Sequence, residues 1–211
     1  MSWITPKTNW VKTDYINYTD YNRWKNNVEF IKDLLIADEQ SATNSVSQGG
    51  VFYLHFEETV SEGQIVFYTI RFTGSESEEE IEYDYKFTES GTYDYGAFEY
   101  PEDGELYISR VVTRGCDLFS YEDMGADKLL NAYWRAAEMN RICDNLDSMC
   151  EALGVDFSGK PMYSDNGATP TYTELNLIEK RTRDLYNQIM GSYTMYLGIG
   201  YTGSRISNIL L

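Results

Sequence analysis

One histidine, three cysteines and 34 carboxylates in 211 residues bound the chemistry open to this chain. A Ser-His-Asp triad would rest entirely on His55, and a His-rich zinc site is excluded. His55 shares one strand face with Val51 and Tyr53, and no nucleophile or orienting partner can be placed beside it, so the structural reading outweighs the catalytic one. Cys116, Cys143 and Cys150 form no paired framework. Cys143 and Cys150 fall on one predicted helix, with Cα atoms about 10 Å apart at about 1.5 Å rise per residue. That is too far for a disulfide, so buried thiols in a reducing compartment are expected. Glu76, Glu78, Glu79, Glu80 and Glu82 lack the ligand spacing and mid-loop Gly of an EF-hand and read as a solvated loop. Gly198, Gly200 and Gly203 follow no predicted strand and make a poor nucleotide loop. No Gly-x-Ser-x-Gly, Walker, Cys-x-x-Cys or His-Glu-x-x-His motif is present. The expectation is no enzyme: no catalytic residue, no metal and no cofactor. Paired carboxylates are abundant enough that counting alone does not exclude a glycosidase.

The 19 tyrosines are more informative. Tyr83, Tyr85, Tyr93, Tyr95, Tyr100, Tyr107 and Tyr121 crowd the middle of the chain. Aromatics beside acidic groups stack on sugar rings, and tyrosine is favoured at interfaces. Tyr93, Tyr95, Tyr100 and Tyr107 are therefore candidate outer-surface or glycan contacts. The competing reading puts them in a core, and the alternation at Tyr83 and Tyr85 favours it.

The elements that must position these residues divide by charge. Residues 51–125 carry 18 acidic and 4 basic side chains, a net of −14, out of −17 for the whole chain. The same boundaries separate two hydrophobic periods. From Asp20 to about Ala37, Tyr21, Trp24, Val28, Ile31, Leu34 and Leu35 form a helical stripe, with Thr19 or Asp20 as cap. Ser41 to Gly50 reads as a loop. Val51–Phe56, Gln64–Phe72, Glu80–Phe87, Thr92–Phe98 and Glu105–Thr113 read as strands, with Pro101-Glu102-Asp103-Gly104 as a turn. Helix returns at about Met124, with Leu130, Trp134, Ala137, Ile142, Leu146, Met149 and Leu153 as its stripe and Gly154 as its stop. A capping box at Thr171 to Glu174 starts a third helix, striped by Leu175, Ile178, Thr182, Leu185 and Ile189 and ending near Gly191. Residues 192–211 are left unassigned.

The predicted class is α+β: a three-helix module interrupted by an inserted small antiparallel β-sandwich or barrel. Its parts are an aromatic arm with the first helix (1–48), an acidic β insert (49–123), the second and third helices (124–190) and a Gly/Tyr-rich tail (191–211). The helices share a local pattern. Asn22, Asn140 and Asn176 each stand two residues before a large apolar residue. Either these asparagines hydrogen-bond to neighbouring segments at the top of a bundle, or amphipathic helices simply align this well.

The acidic balance argues against nucleic acid and against an anionic membrane surface. No apolar run is long enough to span a bilayer, and Met1 to Trp10 lacks the pattern of a signal peptide. Trp3, Trp10, Tyr15 and Tyr18 precede the first helix in an irregular segment. They are candidate assembly contacts, packing on the chain's own helices or on a neighbouring subunit.

Trp3-Ile4-Thr5-Pro6-Lys7-Thr8-Asn9-Trp10, followed by Asp14-Tyr15-Ile16-Asn17 and Asp20-Tyr21-Asn22-Arg23, resembles the amino-terminal segment of tail-appendage proteins of phages and prophages of Gram-positive bacteria. Tyr172-x-x-Leu175-Asn176-x-Ile178-Glu179 resembles a second helix motif of those proteins. The resemblance covers about the first 35 residues and about 20 later ones, and not the β insert. It implies a structural virion protein of the tail tip, baseplate or fibre attachment region, made in the bacterial cytoplasm. Other tail or baseplate proteins would be its partners, with a homo-oligomer expected. The β insert would face outward, either as a decoration or as a surface that contacts a host cell-surface glycan or protein. The rival readings are a carbohydrate-binding module or small glycan-active protein, and an inhibitor that mimics nucleic acid.

Overall fold

The computed structural model describes residues 2–77, 80–130, 132, 135–165, 167 and 169–197, with side chains as far as residue 191. The chain is α+β and divides into two compact units. One comprises Met1–Leu35 and Asp117–Leu211, the other Ile36–Cys116.

The helical unit holds α1 (Tyr18–Leu35), α2 (Ala136–Ala152) and α3 (Tyr172–Leu197). All three start alike. The amide of the residue just before the helix donates to a carboxylate three positions on. The Glu138 carboxylate accepts from the Arg135 amide at 2.7 Å, and that of Glu174 accepts from the Thr171 amide at 2.7 Å. At α1 the cap is Asn17, not Thr19 or Asp20. Its Oδ1 accepts from the Thr19 amide at 2.8 Å while Asp20 accepts from the Asn17 amide at 3.0 Å. Asn favours this position because its side chain satisfies amides that the first turn leaves unpaired. The apolar stripes then supply one core: Tyr21, Trp24, Val28 and Ile31 from α1, Met139, Ile142, Leu146 and Met149 from α2, and Leu175, Ile178 and Leu185 from α3, all buried.

Two helix boundaries differ from the sequence reading. Residues 124–130 are not helical and Leu130 is exposed, so α2 begins later; Trp134 lies outside the described residues. A single apolar stripe does not separate a helix from an extended segment packed beside one. At its other end α2 stops at Gly154, whose φ of +66° lets the Val155 amide reach back to the Cys150 carbonyl at 2.7 Å. α3 does not end at Gly191 but runs on to Leu197. Residues 198–211 lie outside the described residues.

The strand unit contains β1 (Ile36–Val46), β2 (Val51–Glu58), β3 (Ile65–Gly74), β4 (Glu80–Phe87), β5 (Gly91–Glu99) and β6 (Gly104–Thr113). β1, β6, β3 and β4 form an antiparallel four-stranded sheet in that order, and β2 pairs with β5 separately. Neither sheet closes on itself, so the barrel alternative falls. Side chains from both sheets share one core: Leu54 and Phe56 from β2 with Val66, Ile70, Phe72, Phe87, Leu106 and Val112. β4 alternates as expected. Phe87 is buried and Ile81, Tyr83 and Tyr85 pack on the core, while Glu80, Glu82 and Asp84 point the other way.

The loop expected at Ser41 to Gly50 is mostly strand. β1 pairs along its length with β6, from Ile36 opposite Thr113 to Val46 opposite Gly104. Its Glu39 to Ser45 stretch is exposed throughout. The strand is held by main-chain hydrogen bonds rather than by buried side chains, so it leaves no hydrophobic signature. The strand unit consequently begins at Ile36 rather than residue 49. It carries 17 acidic and 4 basic residues, a net of −13.

Candidate functional site

The helical unit places the three asparagines of the sequence pattern in one role. Asn22 Oδ1 accepts from the Lys128 amide at 2.7 Å, and its Nδ2 donates to the Lys128 carbonyl at 2.9 Å. Asn140 holds Tyr163 in the same way, at 2.8 Å and 2.9 Å. Asn176 holds Trp10, at 2.7 Å and 3.0 Å. A primary amide offers a donor and an acceptor side by side, matching the amide and carbonyl of one extended residue. Each clamp therefore satisfies main-chain groups that an irregular arm would otherwise leave unpaired.

Each arm is held again six residues earlier, by a side chain five positions further along a helix. Asn27 exchanges two hydrogen bonds with Ile4, at 3.0 Å and 2.7 Å. Asn145 does so with Glu122, both at 2.8 Å. In the third arm the contact is the Arg181 guanidinium over the Phe157 ring, 5.5 Å away. Each arm begins on its own helix and ends on the preceding one. The order is cyclic: α1 clamps the arm that leads to α2, α2 the arm that leads to α3, and α3 the arm that leads to α1.

Contacts at two levels give the helix directions. Trp24 Nε1 donates to Glu179 at 2.7 Å, and further along both helices Phe30 lies 6.2 Å from Tyr186. α1 and α3 thus run parallel. Around α2, Lys128 is held by Asn22 of α1 and pairs with Glu138 of α2, while further along both helices Lys32 of α1 lies 5.2 Å from the Tyr121 ring and Asn145 of α2 holds the adjacent Glu122. These pairs advance in the same sense along their helices, so α2 is parallel to both. A parallel arrangement within one chain needs a return segment before each helix, and the arms supply it.

The clamp that closes the cycle is the most polar. Glu179, fully buried, accepts at Oε1 from Arg23 Nε at 3.1 Å, Trp24 Nε1 at 2.7 Å and Trp10 Nε1 at 3.4 Å. Burial would lower the Arg23 pKa, but Glu179 and Asp20 outweigh it and the net shift is upward. The equivalent place in α1 is Lys25, buried between Glu29 at 3.1 Å and Asp127 at 3.0 Å. In α2 it is Cys143, whose thiol burial pushes up to about 12.

The predicted assembly contacts separate. Trp10 is buried in the closing clamp, with Lys7 Nζ 3.9 Å from its ring. Trp3 is half-buried and stacked on Tyr186 at 3.9 Å. Both serve the chain's own fold. Tyr18 is half-buried at the start of α1, and Tyr15 is 92% exposed. Tyr15 lines a cleft of about 770 Å³ with Val11, Asp14, Pro170 and Tyr172.

In the strand unit Tyr100 is buried and stacked on Phe72 at 5.7 Å, so it is a core residue and not a surface contact. Tyr93 is half-buried, its ring 4.4 Å from Phe87. Tyr107 is half-buried, with Arg71 5.9 Å from its ring. Of the four, Tyr95 alone is exposed, and only by half. Tyr53, 70% exposed, is the more open tyrosine and was not among the candidates. His55 lies beside it on β2, 3.8 Å from Glu57 and 3.9 Å from Asp94. All three cysteines are buried, and none is in a disulfide. Among the described residues no cluster of His, Cys, Asp or Glu could hold a metal ion, and no helix is long and apolar enough to cross a membrane. No family model, curated protein or solved structure matches the chain.

Proposed function

We propose that this chain is a structural virion protein of a phage tail or baseplate. In this reading it is a three-helix module that docks by its helical part and aromatic arm, with the inserted acidic β-sandwich exposed. The carrying observation is that the two segments resembling tail-appendage proteins are parts of one contact. Trp10, from the opening segment, is held by Asn176 and donates to Glu179, both from the later helix motif. Arg23 of the first helix pattern joins the same carboxylate. The pattern is thereby explained as the set of residues that closes the arm–helix cycle, and a closed scaffold with exposed apolar side chains suits a part that is built into an assembly.

A carbohydrate-binding strand unit remains the second reading, supported by exposed Tyr53 and half-exposed Tyr95. Quantitative mass spectrometry of purified particles produced from the encoding genome tests the first reading. The chain is expected at a fixed ratio to the other tail proteins. Particles that lack it overturn the assignment, and a saturable glycan signal lost in Tyr53→Ala would then favour the second.

A further inference from the structure

The arm–helix unit occurs three times, with equivalent caps, clamps and core positions. Clamp residues Trp10, Lys128 and Tyr163 are each followed by a short stretch leading to the start of α1, α2 or α3. Taken through the first residue of each helix, these three stretches carry five of the nine large apolar side chains that the described part of the helical unit exposes: Val11 (54%), Tyr15 (92%), Leu129 (78%), Leu130 (70%) and Tyr172 (45%). Val11 and Leu129 hold the same place, directly after the clamp residue. Because the helices are parallel, all five lie toward one end, and every repeat contributes at least one.

Related apolar patches repeated about an internal threefold match a partner with a threefold axis of its own. Each partner subunit then meets one repeat with the same surface, whereas an asymmetric partner must supply a different surface for each patch. Large side chains left exposed next to rigidly clamped main chain suit such a contact, because little order remains to be imposed on binding. We infer that the helical unit is the single-chain counterpart of a homotrimer, and that it seats by its helix-start end on the axis of a homotrimeric partner, one chain to three partner subunits. This rests on the tail-structural reading and adds the partner's symmetry and the stoichiometry.

The test uses full-length chain in assembled particles. Electron cryo-microscopy with an antibody fragment against the strand unit locates the chain, and quantitative mass spectrometry counts it. Tyr15→Asp and Leu129→Asp should each lower incorporation at least tenfold with unchanged melting in isolation. Leu118→Asp, an exposed apolar residue outside the three stretches, should incorporate normally. The label should fall on a threefold axis, with one chain per three copies of the protein beneath it. A chain found off any threefold axis, or in equal number with its neighbour, overturns this inference and leaves the tail assignment standing. Self-association abolished by Tyr15→Asp and Leu129→Asp, which would make a second copy the occupant, also overturns it. Absence of the chain from particles overturns both.

Discussion

Asn176 and Trp10 hold each other across 166 residues of sequence by two hydrogen bonds, at 2.7 Å and 3.0 Å. The pair joins the arm that leads into α1 to the helix that comes last. Asn176→Ala removes both bonds and leaves the Trp10 amide and carbonyl without their partner, a cost of about 1–3 kcal/mol. Asn22→Ala and Asn140→Ala should fall in the same range, measured by urea denaturation of each variant. Three near-silent substitutions would show that the arms are held by ring packing alone.

Glu179→Ala strips Arg23, Trp10 and Trp24 of a shared buried acceptor. Removing one partner of such a contact costs about 3 kcal/mol or more. Glu179→Gln should cost less, because an amide oxygen can still take the hydrogen bonds that now go to Oε1, while Oε2 makes none. A double-mutant cycle with Arg23→Met should show strong coupling. Additive effects would separate the two residues energetically.

Glu58, buried in the strand unit, accepts from Arg110 at 2.9 Å and from the Tyr68 hydroxyl. Burial raises its pKa, but the Arg110 and Tyr68 hydrogen bonds overcome that, and the net shift is below its ordinary 4.5. A carboxylate with a depressed folded pKa stabilises above its unfolded pKa, and the gain is lost as pH falls through the folded value. Glu58→Gln should therefore destabilise at pH 7 by about 2 kcal/mol. It should also lose the part of the acid-limb slope that begins below pH 4.5, read from denaturation midpoints across pH.

Cys143 and Cys150 are raised from 9.0 to about 12, chiefly by burial. A neutral acid with a raised folded pKa gives stability that is complete below the unfolded pKa and lost as pH rises toward the folded one. Stability should decline between pH 9 and 12, with Tyr21 and Tyr68, each raised from 10.0 to about 12, contributing to the same limb. Native protein at pH 8 should leave both thiols unmodified by a thiol reagent and release them on unfolding. Rapid labelling of the native protein would contradict their burial.

Local periodicity was sufficient for the elements with a buried face. β2 to β6 lie within a residue or two of their expected bounds, because alternation reports directly which side chains meet a core. The capping box at Thr171 and Glu174 was legible for a similar reason: both partners lie three residues apart. β1 was not legible. Gln40, Ala42 and Asn44 bury little, and only the ladder to β6 makes that segment a strand.

The sequence by itself determined where the charge sits, that a single histidine and three cysteines are present, and that Asn22, Asn140 and Asn176 share a pattern. Composition and spacing carry that information, because they depend on neighbours along the chain. What those asparagines hold was decided only by tertiary structure. Their partners lie 106, 23 and 166 residues away, and no local rule pairs an amide with the main chain of a segment so distant. Tertiary structure likewise separated Tyr100, stacked in a core, from Tyr53, left in solvent, although both are tyrosines of one acidic stretch. Burial is a property of what packs against a side chain, and the packing partners come from other strands.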